Sequence, residues 1–343
     1  MSKQIHVGAV AVGGGAPVSI QSMCNPPTQD VERTVSQILR LEGAGCQIIR
    51  VAVPDMDAAR AIGPIRRRIH IPLVADIHFD YRLALECVRQ GVDKIRINPG
   101  NIGSAEKVRA VADACRDRGI PIRIGVNGGS LERELLQKYG GVTAQALVDS
   151  ALGHVRLLND CNFDDICISV KCSHVPVNMA AYRMLHEQTH YPLHLGVTEA
   201  GTPRLGVLKS AIGIGGLLCQ GIGDTLRVSL TADPEEEVRA ALDILSAAGL
   251  RQTGPNLISC PTCGRTRIDL IPMAEEVERR LANCKKNITV AVMGCAVNGP
   301  GEAHEADYGI AGGKDCGLLF RRGEILGKYP ADKLADALVD LIL

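Results

Sequence analysis

Short apolar runs alternate with helical patterns of apolar and polar residues between residues 18 and 249. Each run is rich in Val, Ile and Leu, which is typical of a buried strand. Strands are predicted at residues 18–23, 48–53, 73–77, 94–99, 122–127, 166–171, 193–199 and 225–230. Helices are predicted at residues 30–41, 82–90, 104–118, 144–158, 203–219 and 234–248. Eight strand–helix units over about 230 residues predict a TIM (β/α)8 barrel, in preference to an open doubly wound sheet.

The pattern changes after residue 250, where Gly254 and Pro255 interrupt it. We therefore predict a barrel domain at residues 1–250, a linker at 251–259 and a second domain at 260–343. The second domain has predicted helices at 274–283 and 331–343, and predicted strands at 288–294, 308–311 and 318–321. It is too short for further barrel units, so we expect a small α+β domain.

The composition agrees with a parallel sheet and an aliphatic core. Hydrophobic residues make up 46% of the 343 residues, whereas aromatic residues make up 3% and tryptophan is absent. Basic and acidic residues balance at 38 each, so no overall field attracts nucleic acid or a membrane surface. The chain begins without an apolar signal region, and no apolar run is long enough to span a bilayer. Together with 13 cysteines, these features predict a cytoplasmic protein whose cysteines are thiols or metal ligands.

Polar side chains lie at the carboxyl ends of the predicted barrel strands, where TIM barrels carry their chemistry. These residues are Arg50, Asp76, His78, Arg96, Asn98, Arg123, Asn127, Ser169, Lys171, Thr198, Glu199, Arg227 and Ser229. Residues two or four apart on a strand share a face, so we expect most of these side chains to enter one cavity.

Several arginines and a lysine in one cavity require an anion, and the guanidinium group matches phosphate oxygens. The loops at 98–103 and 125–129 add backbone N–H groups suited to phosphate. The sequence therefore predicts a small, highly phosphorylated substrate such as a diphosphate. Asp76, His78 and Glu199 remain for proton transfer or for binding hydroxyl groups.

The second domain carries a candidate metal site in Cys260-Pro-Thr-Cys263 and Cys295. Two cysteines separated by two residues can bind one metal from a single turn. Glu302 follows Cys295 in a loop that contains Gly299-Pro300-Gly301. A cubane iron–sulfur cluster usually has four thiolate ligands, so three thiolates and a carboxylate would leave one iron able to meet a substrate.

Two alternatives remain open for this site. A structural zinc ion also binds Cys-x-x-Cys, although zinc prefers a second close pair of Cys or His ligands. The fourth ligand of a cluster could also be Cys284 or Cys316.

Seven motifs together resemble the 4-hydroxy-3-methylbut-2-enyl diphosphate synthase family, over about residues 5 to 330. The motifs are Val74-Ala-Asp-Ile-His-Phe-Asp80, Arg96-Ile-Asn-Pro-Gly-Asn-Ile-Gly103, Ile122-Arg-Ile-Gly-Val-Asn127, Gly196-Val-Thr-Glu-Ala-Gly201, Gly223-Asp-Thr-Leu-Arg-Val-Ser229, Cys260-Pro-Thr-Cys263 and Val297-Asn-Gly-Pro-Gly-Glu302. The chain has no room for the central insertion of the plant proteins, so it resembles the compact bacterial form.

This resemblance implies a two-electron reductive ring opening and dehydration of 2-C-methyl-D-erythritol 2,4-cyclodiphosphate. It implies a [4Fe–4S] cluster bound by Cys260, Cys263, Cys295 and, at rest, Glu302. Substrate binding is implied for Arg50, Asp76, Arg96, Asn98, Arg123, Asn127, Lys171, Arg227 and Ser229. Glu199 and His78 would contact the organic part of the substrate or relay protons. Flavodoxin or ferredoxin would supply the electrons to a homodimer whose active site is shared between subunits.

Two other classes of protein compete with this interpretation. A TIM-barrel sugar-phosphate lyase with a structural zinc domain would explain the arginines but not Glu302. A cluster-bearing sensor would leave the polar barrel unexplained.

Overall fold

The computed structural model describes residues 1–252, 254–295, 303–314 and 316–343. The chain divides into two compact units, Met1–Leu250 and Arg251–Leu343. Glu302, predicted as a cluster ligand and catalytic residue, lies outside the described residues.

The first unit opens with an antiparallel hairpin of β1 (Ile5–Val7) and β2 (Val10–Val12). Ile5, Val7 and Val12 pack against Ile48 and other residues near the beginnings of the barrel strands. The hairpin therefore closes the amino-terminal end of the barrel with apolar side chains. It was not among the predicted strands, because each of its strands has only three residues.

Eight parallel strands follow and form the barrel. They are β3 (Ser19–Met23), β4 (Ile48–Ala52), β5 (Leu73–Asp76), β6 (Lys94–Ile97), β7 (Ile122–Asn127), β8 (Ile166–Lys171), β9 (His194–Leu195) and β10 (Thr225–Leu226). The sheet order is β8-β7-β6-β5-β4-β3-β10-β9, and a parallel bridge between Ile168 and Leu193 joins its two ends. The strands thus follow one another around a closed barrel, which confirms the predicted TIM fold.

Helices cover the outside of the barrel. They are α1 (Val31–Gly43), α2 (Met56–Arg66), α3 (Tyr81–Arg89), α4 (Pro99–Ile102), α5 (Ala105–Asp117), α6 (Arg133–Tyr139), α7 (Ala144–Asn159), α8 (Val175–Gln188), α9 (Pro203–Ser210), α10 (Gly216–Leu218) and α11 (Pro234–Ala247). Side chains at the ends of strand–helix loops cap several of them, since Asp30, Asp55 and Asp233 each accept a hydrogen bond from a backbone N–H of the first turn.

Three predicted elements differ from the structure. The last two barrel strands are only two residues long, because the chain leaves the ladder at Gly196 and again at Arg227, where the site begins. The predicted helix at 203–219 is interrupted by a π-helical turn at Ala211–Gly215, in a glycine-rich stretch.

In its described residues, the second unit is a five-stranded mixed sheet with two α-helices. Its strands are β11 (Asn256–Ser259), β12 (Thr289–Met293), β13 (Tyr308–Ala311), β14 (Cys316–Arg321) and β15 (Glu324–Pro330), in that order across the sheet. Strands β11, β12 and β13 are parallel, while β14 and β15 are antiparallel to their neighbours. Helices α12 (Leu270–Leu281) and α13 (Leu334–Ile342) pack against each other and the sheet around Leu270, Val277 and Leu338.

The predicted linker at 251–259 is wrong in part, because its last four residues form β11 and pair with β12. The pattern of β11 gave little signal, since its residues are only partly buried at the edge of the sheet. Strand β15, also at an edge and largely exposed, was not predicted either. Among the described residues, none of the helices has both the length and the apolar character needed to cross a bilayer.

Candidate active site

A cavity of about 140 Å³ opens at the carboxyl ends of the barrel strands. The residues that line it are Arg50, Asp76, His78, Arg96, Arg123, Asn127, Lys171, Thr198, Arg227 and Ser229. These include every residue predicted to bind substrate except Asn98. Seven of the eight strands contribute, because alternate side chains along each strand and just after it point inward.

Asp76, at the end of β5, is a carboxylate that contacts two arginines of the cavity. Its Oδ1 accepts a hydrogen bond from Arg96 Nη1 at 2.9 Å, and its Oδ2 lies 3.5 Å from Arg50 Nε. Burial alone would raise the pKa of Asp76, but the charges of Arg50, Arg96 and Arg123 outweigh it and lower this pKa to about 2. Asp76 is therefore ionised throughout the physiological range and holds two guanidinium groups in place.

Arg96 is also held by the neighbouring strand β7. Its Nη2 donates to the carbonyl oxygen of Gly125 at 2.7 Å, and Asn98 Oδ1 accepts from the N–H of Gly125 at 3.1 Å. A Cβ atom at position 125 would lie 2.2 Å from Arg96 Nε, so only glycine leaves room for this guanidinium. The structure thus places Asn98 beside β7, where it holds Gly125.

Arg123 and Lys171 are two further buried basic residues of the same cavity. Arg123 Nη1 donates to Ser169 Oγ at 2.5 Å, whereas its Nε and Nη2 have no hydrogen-bond partner in the described part of the chain. Burial and the charge of Arg96 lower the pKa of Arg123 to about 10.

Lys171 forms no ion pair with any carboxylate of the described residues, and burial, then Arg123 and Arg50, holds its pKa well below the usual lysine value. A Cβ at Gly196 would lie 2.5 Å from Lys171 Nζ, so glycine is needed there too.

Arg227 depends on a residue that the sequence analysis missed. Glu237, on α11, is buried and accepts hydrogen bonds from Arg227 Nη2 at 3.3 Å and from the N–H of Leu230 at 2.9 Å. It therefore ties the end of β10 to the helix that follows. The only sequence signal was an acidic residue in the first turn of that helix, where acidic residues are common for other reasons. Met23 Sδ lies between Arg50 and Arg227, 2.9 Å from Arg50 Nη2 and 3.5 Å from Arg227 Nη1.

The two residues predicted to relay protons lie in different places. His78 lines the cavity with its side chain 58% exposed, and its Nε2 is 3.8 Å from Asp76 Oδ1. Glu199 lies outside this cavity and lines a neighbouring hollow of about 440 Å³ together with Cys172 and His174. Thr198 borders both spaces. Glu199 has a φ of 54°, which is strained for a residue with a Cβ and is often found at functional sites.

The predicted cluster cysteines lie at the carboxyl ends of adjacent parallel strands in the second unit. Cys260 follows β11, Cys295 follows Gly294 after β12, and Ser259 pairs with Val292. The N–H of Gly294 donates to Cys260 Sγ at 3.1 Å. The turn with Cys263 returns to the same place, since the N–H of Arg267 donates to the Gly294 carbonyl oxygen at 2.8 Å.

This arrangement fits an iron–sulfur cluster in ligand type and in location. Hydrogen bonds from Arg265 lower the pKa of the exposed Cys263 thiol, which favours the thiolate form that binds iron. Among the described residues, however, no three metal-binding side chains lie close enough together to hold an ion. The sulfur atoms of the three cysteines therefore do not surround one point. The fold therefore brings the three cysteines to one edge of the sheet but not into a finished ligand set.

The other two candidate ligands differ in location. The carbonyl oxygen of Cys284 lies beside Gly254, just before β11 begins. This cysteine is therefore near the amino end of β11, whereas Cys260 follows its carboxyl end. Cys316 is exposed and begins β14. Because β14 is antiparallel to β13, Cys316 lies at the end of the sheet where β11, β12 and β13 finish, as Cys260 does.

Gly125→Ala should weaken the binding of inorganic pyrophosphate by about tenfold or more, because the added methyl group displaces the Arg96 guanidinium. Isothermal titration calorimetry would measure this, with Gly129→Ala as the matched control, since a Cβ at position 129 meets no atom within 4 Å. Equal dissociation constants for both variants and the parent would contradict the assignment of Arg96 to anion binding.

Comparisons with known proteins agree with both units. The family model of the GcpE TIM-barrel domain matches residues 2–242, and that of the GcpE protein C-terminal domain matches residues 256–343. A protein of Geobacter sulfurreducens named 4-hydroxy-3-methylbut-2-en-1-yl diphosphate synthase (flavodoxin) is 61% identical over 98% of this chain and 96% of its own length. A protein of Clostridium perfringens with the same name is 61% identical over 99% of this chain and 98% of its own length.

Solved structures with low sequence identity share the barrel alone. A dihydropteroate synthase from Yersinia pestis superposes with a TM-score of 0.51 at 12% identity, over 73% of this chain and 100% of its own. An N-acetylneuraminic acid synthetase from Leptospira borgpetersenii gives 0.52 at 13% identity, over 73% of this chain and 90% of its own. The two family models and the curated relatives span nearly the whole sequence, and the chain therefore belongs to the GcpE family.

Proposed function

We propose that the barrel cavity binds 2-C-methyl-D-erythritol 2,4-cyclodiphosphate and that the second unit holds a [4Fe–4S] cluster. As a GcpE-family oxidoreductase, the chain makes 4-hydroxy-3-methylbut-2-enyl diphosphate from this cyclic diphosphate by two-electron reductive ring opening and dehydration. The observation that carries the proposed site is the convergence of Arg50, Arg96, Arg123, Lys171 and Arg227 on one cavity. Among the described residues, Asp76 is the one carboxylate that lines it.

The excess of positive charge in the cavity suits a diphosphate. Buried cations without matching carboxylates are costly until an anion enters, so this site gains electrostatic free energy on binding. The free Nε and Nη2 of Arg123 and the ammonium of Lys171 provide donors for phosphoryl oxygens. Ser229, Asn127 and Asn98 complete the proposed set of substrate-binding residues.

We assign proton handling to His78 and Glu199. Dehydration needs a proton for the departing oxygen, and His78 lies in the cavity with its Nε2 3.8 Å from the Asp76 carboxylate, where it can reach a bound substrate. Glu199 adjoins the neighbouring hollow, next to Thr198, where the organic part of the substrate would extend.

Cys260, Cys263 and Cys295 would hold the cluster, with Glu302 as the fourth ligand at rest. When bound, the cluster supplies the electrons for the reduction. The N–H of Gly294 donates a hydrogen bond to Cys260 Sγ, and hydrogen bonds from Arg265 favour the thiolate of Cys263. The alternative of a sugar-phosphate lyase with structural zinc is not favoured, because the family models match both units.

Flavodoxin is the proposed electron donor, since the relatives carry it in their names, and ferredoxin is the second candidate. We place the enzyme in the cytoplasm, which suits a chain in which none of the 13 cysteines forms a disulfide. We also propose a homodimer in which the cluster-binding unit of one subunit serves the barrel of its partner.

Anaerobically purified protein should be brown, with about four irons per chain. Cys263→Ser should lose most of this iron, because it removes a thiolate ligand, whereas Cys219→Ser, which changes an exposed thiol on the barrel, should keep it. Iron and zinc assays with absorption spectra would measure both. A Cys263→Ser protein with full iron content, or a colourless parent with one zinc per chain after reconstitution, would overturn the ligand assignment.

Glu302→Ala should keep its cluster spectrum but lose turnover by at least about 100-fold, because only the non-cysteine ligand is disturbed. Glu305→Ala, at an exposed position three residues on, is the matched control and should keep full activity. Normal turnover in Glu302→Ala would remove this residue from the mechanism.

A shared active site predicts complementation between two inactive variants. Arg96→Ala lacks a functional barrel site and Cys263→Ser lacks the cluster, so a mixed dimer has one intact site only if the two units act across subunits. Co-expression with two affinity tags would isolate mixed dimers, and we expect about half of the parent activity per dimer. Mixed dimers with no activity would show that each chain serves its own barrel.

A further inference from the structure

A second layer of buried polar groups lies beneath the cavity, and Lys94 is its cationic member. Lys94 is on β6 two residues before Arg96, so both side chains face the barrel interior, with Lys94 about 7 Å deeper. Its side chain is 0% exposed, and its Nζ has no hydrogen-bond partner in the described part of the chain. None of the proposed substrate-binding or catalytic roles includes it.

In the described part of the chain, no carboxylate acts on Lys94. Only an ionised Cys167 would offset its charge, and burial raises the pKa of that thiol. The charged or titratable side chains close enough to act on it are Arg123, Arg50, Cys167 and His194. His194 is itself buried, with both ring nitrogens unpartnered, and its pKa lies well below the usual range because of burial and then Lys171. An ammonium at this place is therefore repelled by two guanidinium groups and opposed by the loss of water.

We infer that Lys94 is a positioning residue of the anion site, which takes up a proton when the cyclic diphosphate binds in the layer above it. The inference rests on the proposed substrate site. Lys94 does not touch the substrate. Its charge attracts the bound anion across the layer of side chains between them, and the anion in turn supplies the counter-charge that Lys94 otherwise lacks.

Coulomb's law gives the size of the coupling between protonation of Lys94 and binding of the anion. A unit negative charge about 8 Å away, at an effective dielectric constant of about 20, strengthens proton binding roughly 30-fold. Burial, then the guanidinium groups, lowers the pKa of Lys94 to about 8 without the anion. The amine is then protonated well below pH 8 in both states, and takes up about half a proton on binding at pH 8. Substrate affinity should accordingly fall as the pH rises above 8.

The cyclic diphosphate is a suitable probe because each of its phosphoryl groups has a single, strongly acidic hydroxyl, so the ligand does not titrate in this range. Titration calorimetry of the holoenzyme without an electron donor, in buffers of different ionisation enthalpy, counts the protons taken up. We expect uptake at pH 8 to 9 in the parent, and a decrease of about half a proton at pH 8 in Lys94→Met. The dissociation constant of the variant should depend less on pH than that of the parent.

Lys138→Met, at an exposed position on α6, is the matched control and should behave as the parent. Any proton uptake that remains in Lys94→Met would come from Lys171, the buried lysine that lines the cavity itself. Lys94→Gln serves as the second variant if Met is not tolerated.

Two failures can be told apart. Parent protein that does not bind the cyclic diphosphate at all would overturn the proposed substrate site, and the inference with it. Parent protein that binds it with no proton uptake at pH 8 to 9, or with the same uptake in Lys94→Met, would overturn the role of Lys94 alone.

Discussion

The central constraint on this structure is the repulsion among the positively charged side chains that line the carboxyl end of the barrel. Arg50, Arg96, Arg123, Lys171 and Arg227 share a space of about 140 Å³, and the Asp76 carboxylate balances only part of their charge. The barrel supplies the remaining support through polar contacts: the Gly125 carbonyl oxygen, Ser169 and Glu237. Each contact fixes a guanidinium group and leaves other donors free. In the proposed function, this arrangement prepares the cavity for a diphosphate at the expense of stability, as expected of a preorganised binding site.

Two glycines make this crowding possible. Positions 125 and 196 lie on strand ends whose inward side chains would otherwise fill the cavity, and a Cβ there would meet Arg96 or Lys171 at 2.5 Å or less. An ordinary TIM barrel fills its interior with layers of branched apolar side chains. In this one, long cationic side chains from some strands occupy the space that glycine leaves on their neighbours.

The alternation of apolar runs and helical patterns predicted the barrel and most of its strands, because buried parallel strands are continuous apolar segments. The same rule predicted which side chains approach the cavity, since period-two alternation places Arg96 and Asn98 on one face. It could not distinguish their roles. Asn98 holds Gly125, which depends on the register of two strands, and Glu237 comes from a helix that returns to the strand end. Such contacts are tertiary and leave no local pattern.

The edge strands of the second unit were hidden for a different reason. Strands β11 and β15 are partly or largely exposed, so their residues lack the apolar continuity that revealed β12. This gap hid the reason for the spacing of the cysteines. Cys260 and Cys295 are far apart in sequence, yet each follows the end of one of two paired parallel strands. Both units thus build their candidate sites towards the carboxyl ends of parallel strands, because adjacent strands bring residues from distant parts of the chain together there.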